Sequence, residues 1–195
     1  MNFLAHFHLA WPDEGLVLGG LEGDYVKGPL NGALPQALER GIRLHRAVDA
    51  YTDGHPLIAQ LRRDMPVNLR RYAGILIDLS FDHYLSRHWS HFSALSLADF
   101  NNAIYRTLTA RESLLSEDAK RMSARMIEFD VLNLYLEWDS VLATAARIGQ
   151  RLKRHNPLVQ NLDREFSPAQ ETLEKAFLNF YPQLQSFCQQ RIELM

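Results

Sequence analysis

The chain has a single cysteine, Cys188, so an internal disulfide is excluded, and with it a zinc ribbon or a dithiol redox pair. No apolar run reaches the roughly 18 residues that a membrane-spanning helix needs. A charged leader followed by an apolar stretch and a cleavage site is also lacking, and the expectation is a cytoplasmic protein that does not act in a membrane. Excess charge of one sign is scarce: the formal net charge is only −2 over 195 residues, which argues against generalised affinity for nucleic acid. Repeats, low-complexity tracts and convincing period-2 alternation are missing too, which leaves no sheet to expect. What is present is ordinary for a globular protein, 47% apolar and 23% charged residues, and the length suits one domain spanning 1–195 with a proper core.

The helical signals run the length of the chain. Asn2 is placed to cap a short helix carrying His6 and His8, which Trp11-Pro12 breaks. The following LVLGGLEGDYVKGPLNG puts five glycines close to Asp24 and reads either as a plain loop or as a Gly-flanked short helix that brings its backbone near a ligand. The loop is the simpler reading. Pro35 opens a long helix to about Thr52, stopped by Gly54 and Pro56, and a shorter piece covers about 57–71 with an interruption at Pro66. A helix bearing Asp78 and Asp82 ends near His91. Ser96 and Ser116 start two more, and 140–154 forms another amphipathic helix. Ser167-Pro168 reads as cap plus first turn of a last helix with a kink near Pro182. The fold class is all-α, a single-domain helical bundle.

The chemistry concentrates between Gly41 and Trp89. At 100° per residue, His45, Asp49 and Asp53 fall within roughly 80° of one another, opposite Leu44, Val48 and Tyr51. That face alone could be solvated. Asp78 and Asp82 lie about 40° apart inside an arc filled by Ile75, Leu79, Phe81, Leu85 and Trp89. Unpaired carboxylates in such a stripe cost several kcal/mol, so they call for cations, donors or protonation. Two arrangements answer this: a divalent metal gripped by the two faces, or an interhelical salt-bridge network neutralised by Arg43, Arg46 or Arg87. Nitrogen and carboxylate donors suit Mn²⁺, Fe²⁺, Zn²⁺ or Mg²⁺. His55, His91 and His155 read as ordinary exposed or satisfied side chains. The Glu-x-x-His pairs of a ferritin-like bundle and the His-Glu-x-x-His of a zincin are both absent. Scattered His and Asp ligands fit the HD-type metal-dependent phosphohydrolases better.

Longer motifs sharpen this. NFLAHFHLA, GDYVKG, GIRLHRAVDAYTD, IDLSFDHYLSRHW and the FYPQL near the end closely resemble the acyl carrier protein phosphodiesterase family, a divergent relative of the HD phosphohydrolases. The adjacent His-Asp pair of the HD proteins is not kept: Arg46 follows His45, and Asp49 comes a turn later. The resemblance implies hydrolysis of holo-acyl carrier protein to the apo form and 4′-phosphopantetheine, in the prosthetic-group turnover of fatty-acid synthesis. It implies a divalent cofactor, Mn²⁺ first and Mg²⁺ as the substitute. Carried over by motif position, Asp24, His45, Asp49, Asp78 and Asp82 become metal-site residues, Arg46 neutralises the phosphate, and His6, Asp53 and His83 support the ligands. Loss of Asp78 or Asp82 is expected to stop turnover and spare the fold.

Acyl carrier proteins are small and strongly acidic, so a protein of net charge −2 needs positive charge near its site to attract one. Arg62, Arg63, Arg70 and Arg71 form the expected docking surface. Arg147, Arg151, Lys153 and Arg154 form a second cluster, read rather as a solvated face. Two other functions compete on residues alone: an HD-like hydrolase of nucleotides or small phosphate esters, and a non-catalytic helical binding module.

Overall fold

The computed structural model describes residues 1–152 and 162–195, with the side chains of 151 and 152 also left aside. Lys153, Arg154 and His155 therefore lie outside the described residues, as does the side chain of Arg151. Among the described residues all regular structure is helical: α1 (Phe3–Ala10), α2 (Glu14–Glu22), α3 (Gln36–Gly54), α4 (Pro56–Asp64), α5 (Ala73–Arg87), α6 (Leu97–Ala110), α7 (Glu117–Glu128), α8 (Val131–Leu134), α9 (Trp138–Leu152), α10 (Leu162–Phe166) and α11 (Gln170–Glu193). The chain forms a single all-α domain.

At the centre is α5. Leu76, Ile77, Leu79, Phe81, Tyr84 and Leu85 are all buried, so apolar residues cover more than one side of this helix. A helix apolar all round belongs inside a core, and α5 packs against α1, α4, α9 and α11. This explains why its two aspartates stand in an apolar arc. The long α11 contributes Phe177, Phe180, Tyr181 and Leu184 to the same core and runs through Pro182 as one helix.

The LVLGGLE segment is helical, which corrects the loop reading; the irregular chain begins only after Glu22. Its glycines serve helix packing. A Cβ on Gly19 would stand 2.4 Å from the backbone of Gly41, so α2 and α3 touch backbone to backbone. Gly41 lies one turn before His45, and this contact fixes where that imidazole sits. Ser167 does not cap the last helix either. It opens a short 3₁₀ turn, Ser167–Ala169, accepts from Trp138 Nε1 at 3.1 Å and donates to Asp163. Its hydroxyl had nearer partners than the helix end. The other caps hold: the side chains of Asn2, Ser96 and Ser116 accept backbone N–H groups of α1, α6 and α7.

Candidate metal centre

His45 is delivered by α3 and oriented by α2. Its Nδ1 donates to the carbonyl of Gly20 at 2.8 Å, so the ring is pinned and Nε2 faces the other way. The first residue after α2, Gly23, lies against the imidazole, and a Cβ there would sit 2.4 Å from Cγ of His45. One turn on, Asp49 meets His45 Nε2 at 3.2 Å through Oδ2 and His6 Nε2 at 3.3 Å through Oδ1. The two imidazoles stack, with centroids 4.1 Å apart and planes 17° apart. Asp24 completes the outer edge, its Oδ1 3.7 Å from His45 Nε2.

The two histidines differ electrically. Burial lowers His6 to a pKa of about 4 against the pull of Asp49, so it stays neutral at physiological pH. Burial also disfavours charge on His45, but Asp49, Asp24 and the Gly20 carbonyl outweigh it and raise the pKa above the usual value. Desolvation works against ionised Asp49, yet hydrogen bonds from His45 and His6 hold its carboxyl well below the ordinary carboxylate range. At Asp24, desolvation and the neighbouring Asp49 raise the pKa, opposed by His45.

Donor atoms of His6, His45 and Asp49 converge within 4.8 Å of one another, the one such group found among the described residues. Ligands about 2.0–2.2 Å from a common ion stand roughly 3–3.6 Å apart, so the His–Asp separations suit a divalent cation. A pinned ring with its second nitrogen turned inward is also how ligating histidines are held. Two of the three, His45 and Asp49, line a cavity of about 340 Å³ whose wall also includes Asp24, Lys27 and Arg46. Arg46 donates to the carbonyls of Val26 and Gly28, both at 2.8 Å, so it fixes the loop around that cavity.

The remaining candidates are placed elsewhere. Asp82 is fully buried and accepts backbone N–H groups of Leu4 at 2.7 Å, Asn2 at 3.3 Å and Ala5 at 3.4 Å. It is a carboxylate at the N-terminus of α1, where unpaired amides and the helix dipole favour negative charge. Burial nevertheless raises its pKa to about 7. Asp78 accepts from the amine of Met1 at 2.9 Å, and that amine lies 4.0 Å from Asp49. Asp53 is exposed and pairs with Arg62. His83 packs on Tyr84 and Trp138 and donates from Nδ1 to the Tyr135 carbonyl, while its buried Nε2 has no partner. Arg63 bonds to Gln60 and Arg70 to the carbonyl of Arg63, and Arg71 is exposed. Sequence alone gave His6 a supporting part beside the ligands; nothing local shows that α1 packs its imidazole flat on one from α3.

The comparisons with known proteins agree with the motifs. The family model described as acyl carrier protein phosphodiesterase matches residues 1–184. A relative from Yersinia pestis with that name is 33% identical over 192 residues, covering 93% of this chain and 94% of the relative. One from Pectobacterium atrosepticum is 33% identical over 193 residues, covering 94% and 95%. One from Yersinia enterocolitica is 31% identical over 195 residues, covering 98% and 99%. No solved structure matches the chain. By the extent of these matches, the chain belongs to the acyl carrier protein phosphodiesterase family.

Proposed function

We propose that the protein hydrolyses the phosphodiester between the 4′-phosphopantetheine arm and a serine of acyl carrier protein. Water adds to phosphorus, the bond from phosphorus to the serine oxygen breaks, and apo-carrier and 4′-phosphopantetheine leave. The observation that carries this reading is the convergence of His6, His45 and Asp49 at the edge of a cavity with cationic side chains in its wall. These three would hold a divalent cation, Mn²⁺ or Mg²⁺ by the chemistry of the donors and the family resemblance. Such a cation polarises a phosphoryl group and lowers the pKa of water.

The chain's own groups supply the rest. The Gly20 carbonyl and Gly23 keep His45 aimed inward. Lys27, whose ammonium reaches the Asp24 carbonyl at 2.6 Å, brings positive charge to the cavity for the phosphate. Arg46 orders the loop that presents Lys27, with its charge at the cavity wall. Asp24 at the lip, its Oδ1 3.7 Å from His45 Nε2, would lend a further carboxylate oxygen to the cation or accept a proton from the attacking water. Asp78 and Asp82 act in this reading through the position of the chain start and α1, one step behind the ligands.

The test is conversion of holo- to apo-carrier by the purified protein with Mn²⁺, with and without a chelator, read by mass spectrometry of both products. Metal-dependent release of 4′-phosphopantetheine is expected. Hydrolysis of small phosphodiesters without any action on holo-carrier would favour the general phosphohydrolase instead. A protein that binds no divalent cation and hydrolyses neither substrate would be a binding module.

A further inference from the structure

An enzyme that acts on a carrier protein must hold a folded partner as well as a phosphate. Among the arginines before α5, Arg62 is neutralised by Asp53, while Arg63 and Arg70 bond to neutral groups and Arg71 is exposed, so that cluster is one candidate and serves as the control below. A different surface carries free charge beside exposed apolar side chains. Between α7, α8 and α9 runs a groove of about 180 Å³ lined by Phe129, Leu134 and Ile148, with Arg125 and Arg147 at its sides and no carboxylate in its wall. Phe129 is 55% exposed, and Leu134 reaches solvent as well. Arg125 and Arg147 have no acidic partner among the described residues; Arg147 bonds only to the Thr144 hydroxyl. An apolar groove flanked by arginines that lack an acidic partner has the composition of an interaction surface.

Helix α7 runs between the neighbourhood of the cavity and the groove. Ser116, the cap of α7, donates its backbone N–H to Glu22 at 3.1 Å, two residues before Asp24. Arg125 follows Ser116 by nine residues, about 13 Å along a helix. A domain of up to 100 residues has a radius of gyration of about 13 Å, so a carrier with its serine at the cavity is large enough to span that interval.

We infer that the groove between α7, α8 and α9 is where the carrier docks, an acidic helix of the carrier meeting Arg125 and Arg147 while its apolar residues cover Phe129 and Leu134. This rests on the carrier phosphodiesterase reading above. The carrier is favoured as occupant because the groove offers cations around an apolar floor, the complement of an acidic amphipathic helix.

The experiment uses the full chain with Mn²⁺ and two variants, Arg125→Glu/Arg147→Glu and Phe129→Ala. Three quantities are read: kinetics on holo-carrier, hydrolysis of bis(p-nitrophenyl) phosphate, and binding of fluorescent apo-carrier, which lacks the arm. Both variants should raise KM for holo-carrier by about tenfold with kcat little changed, and weaken apo-carrier binding by a similar factor. Charge reversal should also flatten the salt dependence of carrier binding. Turnover of the small diester should stay at the wild-type level, which shows that fold and site are intact. Unchanged apo-carrier binding overturns the proposal. So does a change confined to the preference among acylated carriers, which would make the groove a seat for the acyl chain. A loss of apo-carrier binding on reversing Arg62, Arg63, Arg70 and Arg71, with none here, overturns it as well. If the wild type binds apo-carrier through this groove but never cleaves holo-carrier, the activity fails and the docking surface stands.

Discussion

Asp49 accepts from two imidazoles that respond oppositely to their surroundings, and this asymmetry has a measurable consequence. His6, held at a pKa of about 4 by burial, enters a metal complex already neutral, while His45, raised by Asp49 and Asp24, must first give up a proton. A protonated imidazole has no lone pair for a metal, so affinity should fall as pH drops through the raised pKa of His45. Titration calorimetry with Mn²⁺ in buffers of different ionisation enthalpy should show proton release on binding. His45→Ala should abolish that release. His6→Ala should keep it while lowering affinity by at least about tenfold, since even the supports of ligands cost that much. Equal release in both variants would assign the proton elsewhere. At this scale the sequence was partly legible. His45 and Asp49 share a face at i, i+4 and could be paired by eye, whereas the stacking of His6 on His45 depends on a contact between helices nearly 40 residues apart.

At the scale of elements, the site depends on how α1, α2 and α3 are set against one another. The periodicity of the chain foretold most helices and their caps, because side-chain capping and apolar spacing are local. It misjudged the glycine-rich stretch, since glycine lowers helix propensity while permitting the backbone approach of Gly19 to Gly41, and only the second effect depends on the partner helix. Gly23→Ala should therefore leave the helical signal intact, force the His45 ring to move and reduce Mn²⁺ affinity and turnover together; unchanged affinity would show that the ring is free to yield. The buried aspartate of α5 was visible as an anomaly, but its partners were not, because three backbone amides leave no mark in a sequence. Asp82→Ala strands those amides and should cost about 2–4 kcal/mol in chemical denaturation, contrary to the expectation of an intact fold. Asp82→Asn keeps an acceptor and should recover most of it. The pH dependence has a definite sign. A carboxyl raised to about 7 in the folded state contributes most below its unfolded pKa, and that contribution is lost as pH rises through about 7. Wild type should lose stability over that interval relative to Asp82→Asn, and parallel stability curves would refute the assignment.

For the whole molecule, the cluster ties the first third of the chain together. His6 comes from α1, Asp24 follows α2, and His45 and Asp49 come from α3, while Met1 and Asp82 link the start of α1 to the central α5. A cation bound to these side chains exists only when the helices are assembled, so its binding free energy adds to folding. With free Mn²⁺ at 100 times its dissociation constant the gain is about 2.7 kcal/mol, and for a domain of this size that corresponds to roughly 5–10 °C in Tm. Differential scanning calorimetry should show Tm climbing with the logarithm of free Mn²⁺ and falling back when a chelator is added. His45→Ala should melt at one temperature throughout, because its loss removes both the ligand and the pairing that positions Asp49. Asp78→Ala, outside the converging group, should keep the metal response even if its baseline Tm falls through loss of the contact with the Met1 amine. A Tm response that survives His45→Ala but vanishes in Asp78→Ala would move the cation from α1 and α3 to the face of α5, and the ligand set would have to be redrawn around it.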